Sequence, residues 1–248
     1  MTYSYIGAEL EVFAKAANWK RYVACNIGRF VGGRVLEVGA GIGANTRFLH
    51  NPRVCELVCL EPDRDLAGRI GKRLIRGELP RGCRVVNGTI AAFDGAERFD
   101  TILYLDVLEH IAEDRPELVR AAQLLWPKGR LVVLAPAHQL LFSALDRAIG
   151  HYRRYNGAML RALTPPDCVL ERCMMLDSAG FLVSLANRFL LSAPMPTERQ
   201  IAVWDRLFVP ISRVLDGVTA RRFGKTVVAV WRRNSEAGVP VPRRELLP

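Results

Sequence analysis

The chain has no CxxC pair and no run of 18 apolar residues. It also lacks an internal repeat and a low-complexity segment. Its six cysteines (Cys25, Cys55, Cys59, Cys83, Cys168 and Cys173) fall in or beside apolar runs, so buried free thiols in a reducing, cytoplasmic setting are expected. Zinc-type ligand spacing is missing, and no metal is expected. The longest apolar candidate, Phe181–Leu191, is broken by Ser184, Asn187 and Arg188, which excludes a transmembrane helix on this reading. The first twenty residues carry acids early and have no central apolar block, so they are not read as a signal peptide. Lysine is scarce: 5 of the 35 basic residues are Lys and 30 are Arg. The formal net charge of +10 suits an anionic substrate, nucleic acid or an anionic membrane surface, and by itself selects none of them.

What is present is ordinary globular composition: 248 residues, half hydrophobic and 24% charged. Residues 1–30 carry Leu10, Phe13, Ala17 and Tyr22 at roughly helical spacing and are expected to form a helical arm. Strands are predicted at RVLEV, LVCLEP (57–62), CRVVNGTI, FDTILYLD (99–106) and RLVVLAP. Helices are predicted between them, at Thr46–His50, Asp65–Arg76 and 114–126. In the last, Asp114 is expected as N-cap and Pro127-Lys128-Gly129 as the stop. Strands that are apolar throughout, alternating with helices, predict a parallel sheet covered on both faces. Residues 168–176 read as a further strand and 178–191 and 199–218 as helices. The second of these bears an apolar stripe from Trp204 to Val218 interrupted by Pro210. KTVVAVW is the final strand. A single domain over 1–233 is expected, with 136–223 facing the substrate and 234–248 a disordered tail.

The chemistry concentrates in Glu37-Val-Gly39-Ala40-Gly41-Ile-Gly43-Ala-Asn45, a glycine loop between a strand and a helix. Glycines there let the backbone turn sharply and approach a ligand. Gly39-x-Gly41-x-x-Ala44 also satisfies the dinucleotide fingerprint, with Glu61 at the distance of a ribose-binding acid, so an NAD-dependent oxidoreductase stays open on this loop alone.

The surrounding motifs separate the two. VLEVGAGIGANT, LEPD, FDTILYLDVLEHI and GRLVVLAPAH, in that order across residues 30–140, resemble the class I S-adenosylmethionine-dependent methyltransferases. The resemblance implies a doubly wound, Rossmann-like α/β fold. Its seven-stranded sheet is mostly parallel, with an antiparallel last strand inserted beside the fifth. It implies S-adenosylmethionine as cofactor, bound by Glu37, Gly39, Ala40, Gly41, Gly43, Asn45, Glu61, Pro62, Thr89, Ile90, Asp106, Val107 and His110. The stretch PAHQLLFSALDRAIGHYRRY further resembles a subgroup acting on sugars, lipid carriers or secondary metabolites. It implies a small-molecule acceptor, anionic or lipid-linked, with peripheral membrane contact open and the oligomeric state undefined. His138, three residues past the fifth strand, is the expected proton acceptor, with His151 and Tyr155 contacting substrate.

The Asn/Asp-Pro-Pro-Tyr/Phe loop of DNA amino methyltransferases and the Pro-Cys nucleophile of cytosine C5 enzymes are both missing, and DNA is not an expected partner. An RNA methyltransferase stays open on charge, without a recognisable RNA-binding module. A metal-dependent catechol-type site finds only Asp106 and Asp177 as candidates.

Overall fold

The computed structural model describes residues 9–93, 97–190 and 197–235. Most of the expected tail, and residues 1–8 of the expected arm, lie outside them. The arm is two helices, α1 (Glu9–Ala14) and α2 (Ala17–Ile27), rather than one. The strands are β1 (Gly33–Val38), β2 (Val54–Glu61), β3 (Cys83–Asn87), β4 (Phe99–Leu105), β5 (Leu125–Pro136), β6 (Cys168–Leu176) and β7 (Thr226–Arg233). Between them run α3 (Thr46–Leu49), α4 (Arg64–Ile75), α5 (Asp114–Gln123), α6 (Ala144–Ala148), α7 (Gly157–Ala162), α8 (Ser178–Leu190), α9 (Glu198–Val203) and α10 (Val209–Val218).

The seven strands form one sheet in the order β3-β2-β1-β4-β5-β7-β6. The β1–β2, β1–β4, β2–β3 and β4–β5 pairs are parallel. β7 alone runs backwards, antiparallel to both β5 and β6. The fold is thus the Rossmann-like α/β architecture of the sequence reading. The central strands are apolar on both faces because each face is covered. One core gathers Leu36, Ile102, Tyr104, Val133 and Trp231; the other gathers Val35, Leu57, Leu103, Val132 and Val230. The order reverses between β1 and β4, and the crevice at their carboxyl ends is where this topology seats ligands.

Local expectations changed in four places. Asp114 does not cap α5; Glu113 holds that position without a side-chain bond, and the Asp114 carboxylate instead accepts from the Tyr155 hydroxyl and Arg153 at 2.9 and 2.7 Å. Pro127-Lys128-Gly129 lies inside β5, not at a helix end; a left-handed Lys128 (φ 67) and an irregular register opposite Phe99–Thr101 absorb the turn residues. Pro210 does not end the last long helix: the chain stays helical from Glu198 to Val218, and the irregularity is a π-helical turn over Trp204–Phe208 directly before the first turn of α10, which holds the proline. Of the thiols, Cys59 and Cys168 are buried, whereas Cys25 and Cys55 are exposed.

Two buried carboxylates tie α8 to α10 at the edge of the sheet. Asp216 accepts from the Tyr22 hydroxyl (2.7 Å) and from the backbone N–H groups of Asp177 (2.8 Å) and Ser178 (2.9 Å). Asp177 accepts from the Trp204 indole (2.9 Å) and the Ser212 hydroxyl (2.7 Å).

Candidate active site

β1 delivers the chain into the glycine loop, where Gly39, Gly41 and Gly43 have φ of 63°, 58° and 71°. L side chains rarely adopt that left-handed conformation. At Gly39 space is also closed: a Cβ would lie 2.7 Å from the Val107 side chain. At Gly41 it would meet only Leu10, at 3.7 Å, so that backbone faces open space.

Two acids brace the loop. Glu61, at the end of β2, accepts from the Gly41 N–H at 2.7 Å and the Asp63 N–H at 2.9 Å. Glu37 lies beneath the loop, buried, and accepts from the Thr46 hydroxyl at 2.7 Å. Burial pushes the Glu37 carboxyl up to about 7, against the Thr46 hydrogen bond and with help from the Glu61 charge. Arg73 holds the loop's far side through the carbonyls of Ile42 (2.7 Å) and Gly43 (3.0 Å). Thr89 caps the short turn Ile90–Ala92 after β3, and Asn87 pins the carbonyls of Glu61 and Pro62 at 2.9 and 3.1 Å.

Above the loop opens a cavity of about 1050 Å³. Gly39, Ala40, Gly41 and Asn45 form one wall. Leu10 and Phe13 of α1, Ile201 of α9 and Trp204 roof it, and Asp106, Glu109, His110 and His151 form its polar end. Asp106 follows β4 in a left-handed conformation (φ 57), with its N–H on the Leu134 carbonyl at 2.9 Å. The surrounding protein pushes its carboxyl up to about 6, restrained by the charges of His151, Lys20 and Lys225. Lys20 is buried beside it and donates to the Phe13 carbonyl at 2.6 Å; burial lowers its ammonium to about 8.

The expected site residues divide in this geometry. His151 reaches the cavity. Its Nδ1 meets Asp146 Oδ1 at 2.9 Å, its Nε2 lies 3.9 Å from Glu109, and its ring packs edge-on to His110 with centroids 4.5 Å apart. Asp146 is buried, yet hydrogen bonds from His151, Arg154 and Ser143 hold its carboxyl well below the usual range. Burial and the His151 charge lower His110 to about 4.

His138 does not reach the cavity. A left-handed backbone (φ 64) turns its ring onto Phe181 and Phe223, and Nε2 bonds the Gly224 carbonyl at 2.9 Å. Tyr155 is fully buried, its hydroxyl spent on Asp114, so neither lines the space where an acceptor would sit. Glu37, Glu61, Pro62, Thr89, Ile90 and Val107 do not line the cavity either; Glu37 and Glu61 act on the loop that does. Sequence reasoning passed over Glu109, Asp146 and Lys20. Glu109 stood in plain view beside His110, and Asp146 five residues before His151.

Residues 12–169 match the family described as methyltransferase domain, and the chain belongs to that family. A demethylmenaquinone methyltransferase of Tropheryma whipplei (strain Twist) is 32% identical over 136 residues, covering 53% of this chain and 54% of that protein. The chain thus spans about half the length of the curated relatives it matches. Among solved structures, the N-methyltransferase NodS of Bradyrhizobium japonicum WM9, in complex with S-adenosyl-L-homocysteine, superposes with a TM-score of 0.55. It is 15% identical and covers 88% of each chain. The cyclopropane synthase MmaA2 of Mycobacterium tuberculosis gives a TM-score of 0.55 at 17% identity, covering 86% of this chain and 82% of that one. These two likenesses show the fold. The residues of this methyltransferase domain fit S-adenosylmethionine: the left-handed glycine loop opens onto the cavity at Gly41, and an acid ends β2 beside it.

Proposed function

We propose that the protein methylates an oxygen or nitrogen of a small biosynthetic intermediate, such as a secondary metabolite, a sugar or a lipid-linked acceptor. The observation that carries this is the cavity. At about 1050 Å³ it stands at the upper end of small-molecule sites, and it runs from the glycine loop to a polar end under a roof of α1 and α9. A roofed cavity suits a small acceptor better than a structured RNA. The relative named for demethylmenaquinone points the same way.

S-adenosylmethionine supplies a methyl group already activated on a sulfonium. The chain's residues then have three tasks: to align the acceptor, exclude water and dispose of one proton. Leu10, Phe13, Ile201 and Trp204 exclude water. The acceptor lone pair forms its bond to the methyl carbon as the sulfur–carbon bond breaks. Proton removal is assigned to the polar end around Asp106, Glu109, His110 and His151, in place of His138.

A second observation bears on the acceptor. Val203, Leu207, Ile211, Val214 and Val218 form an exposed apolar stripe along α9, the π turn and α10; Leu207 is 53%, Val214 67% and Val218 80% exposed. Exposed Arg199, Arg206, Arg213 and Arg222 accompany it; of the three acids of this stretch, Asp205 and Asp216 are buried, and the exposed Glu198 pairs with Lys15 at 2.7 Å. A basic amphipathic helix whose one exposed acid is paired with Lys15 suits an anionic lipid surface. Val203 also lines the cavity, so a lipid-linked acceptor would meet the site at the membrane edge. Among the described residues no helix is long and apolar enough to cross a membrane. The exposed thiols of Cys25 and Cys55 suit the cytoplasm.

The test uses S-adenosylmethionine labelled in the methyl group, incubated with the protein and separated lipid, small-metabolite and RNA fractions of cells. Label in the lipid or metabolite fraction supports the proposal, and label confined to RNA refutes it. Co-sedimentation with vesicles of anionic phospholipid, lost in Leu207→Ser/Val214→Ser and retained on neutral vesicles by neither protein, tests the lipid surface.

A further inference from the structure

We propose that Glu109, His110 and His151 bind one divalent cation of the zinc or manganese type at the polar end of the cavity. Each offers one ligand atom, and the three atoms lie within 4.8 Å of one another. A cation bonded at about 2.0–2.2 Å holds its ligands roughly 3–4 Å apart, so small side-chain movements close the set. The residues come from two places. Glu109 and His110 belong to the short turn after β4, and His151 follows α6. A backbone bond joins the two, the Tyr152 N–H donating to the Glu109 carbonyl at 2.8 Å, and a second, from the His151 N–H to the Asp146 carbonyl at 2.8 Å, fixes His151 against the end of α6.

Three further observations point to a ligand. The Glu109 side chain is 1% exposed, and both its carboxylate oxygens lack a hydrogen-bond partner. A carboxylate buried this deeply must be paired, bound to a cation or else protonated, and a bound cation is what would keep it ionised here. The nearest guanidinium does not serve it, because Arg154 is committed to Asp146 at 2.8 and 3.0 Å. Nor does His151, whose Nε2 at 3.9 Å is beyond hydrogen-bond reach.

The second observation is Asp146, which accepts from His151 Nδ1 and leaves Nε2 directed at Glu109. A carboxylate on the far nitrogen is what orients and strengthens a metal-bound imidazole. Asp146 is itself held by Arg154 and by the Ser143 N–H and hydroxyl, both at 2.8 Å. Third, Glu109, His110 and His151 all line the cavity, so the remaining coordination positions face the acceptor.

Two imidazoles and one carboxylate favour a first-row transition cation over calcium or magnesium. The sequence reading expected no metal: it weighed cysteine spacing and a catechol-type set on Asp106 and Asp177, and not these three residues. These ligands are separated by the whole of α5, β5 and α6.

The catalytic consequence rests on the methyl-transfer reading; the binding does not. A cation here would acidify an acceptor hydroxyl. With Glu109, His110 and His151 engaged as ligands, the proton would pass to Asp106 at the same polar end as the oxygen–carbon bond forms and the sulfur–carbon bond breaks.

The test takes chelator-stripped full-length protein and titrates it with Zn²⁺ and Mn²⁺, by calorimetry and by Mn²⁺ electron paramagnetic resonance. S-adenosylhomocysteine calorimetry runs in parallel. One equivalent should bind, raise the melting temperature, and be lost in Glu109→Gln and His151→Gln while both variants still bind S-adenosylhomocysteine. Asp146→Asn should weaken binding about 10–100-fold. Absence of stoichiometric binding in protein that takes up S-adenosylhomocysteine overturns the proposal. So does equal affinity in Glu109→Gln and wild type, or a preference for Mg²⁺ over both probes. Cation binding without S-adenosylhomocysteine binding leaves the site standing and removes its catalytic consequence.

Discussion

Replacing Glu37 by Gln should make the protein more stable at alkaline pH, although Glu37 opens the cofactor motif. The side chain is 2% exposed and its one hydrogen bond comes from the Thr46 hydroxyl. Burial raises its carboxyl from 4.5 to about 7 in the folded chain. Between those values the folded protein holds a proton that the unfolded chain has released. Stability therefore falls as pH rises through this window and levels off above it. At ~1.4 kcal/mol per unit, the full loss is about 3 kcal/mol. Glutamine keeps an acceptor for Thr46 and carries no charge, so the loss should vanish. Urea denaturation of both proteins without S-adenosylhomocysteine, at pH 5 and pH 8, isolates the effect because all other titrating groups cancel. Glu37→Gln should gain about 2–3 kcal/mol relative to wild type between the two pH values. An equal difference between the proteins at both would refute the reasoning.

Gly39→Ala should weaken S-adenosylhomocysteine binding at least about tenfold in calorimetry, because its Cβ meets Val107 at 2.7 Å in a left-handed conformation that costs about 1–2 kcal/mol. Asp216→Ala should cost about 3–5 kcal/mol. It strands the Tyr22 hydroxyl and two buried N–H groups, and thermal melting should show a fall on the order of 10 °C. His138→Ala should lower stability by about 1–2 kcal/mol through the lost Gly224 bond and the Phe181 contact, with turnover changed less than about twofold; a drop of about 100-fold or more would return the base to His138.

The sheet was legible because its strands are apolar on both faces and its loops carry glycine or proline at the ends. The glycine loop was legible because left-handed turns leave a local mark. Its role rested on the motifs around it. The polar end of the cavity was legible only in pieces. His110 and His151 stood out as histidines, but their meeting depends on how the segment after β5 folds back over the turn after β4. Nearness in sequence misled at His138: three residues past β5 places its backbone near the cavity, but the φ of 64° turns the ring towards β7 and α8. Tyr155 failed for a related reason. Its hydroxyl pairs with Asp114, 41 residues away, and no local pattern announces that pair. The stripe of α10 has helical periodicity whether it faces core or solvent, and only the packed structure shows that Val214 and Val218 face outward.

The central claim is that the cavity above the Gly39–Gly43 loop binds S-adenosylmethionine as methyl donor. Titration calorimetry of the purified chain with S-adenosylhomocysteine tests it most directly. One site per chain, abolished by Gly41→Val and with no heat from NAD under the same conditions, is the predicted result. Binding of NAD in place of S-adenosylhomocysteine, or S-adenosylhomocysteine affinity unchanged in Gly41→Val, would contradict it.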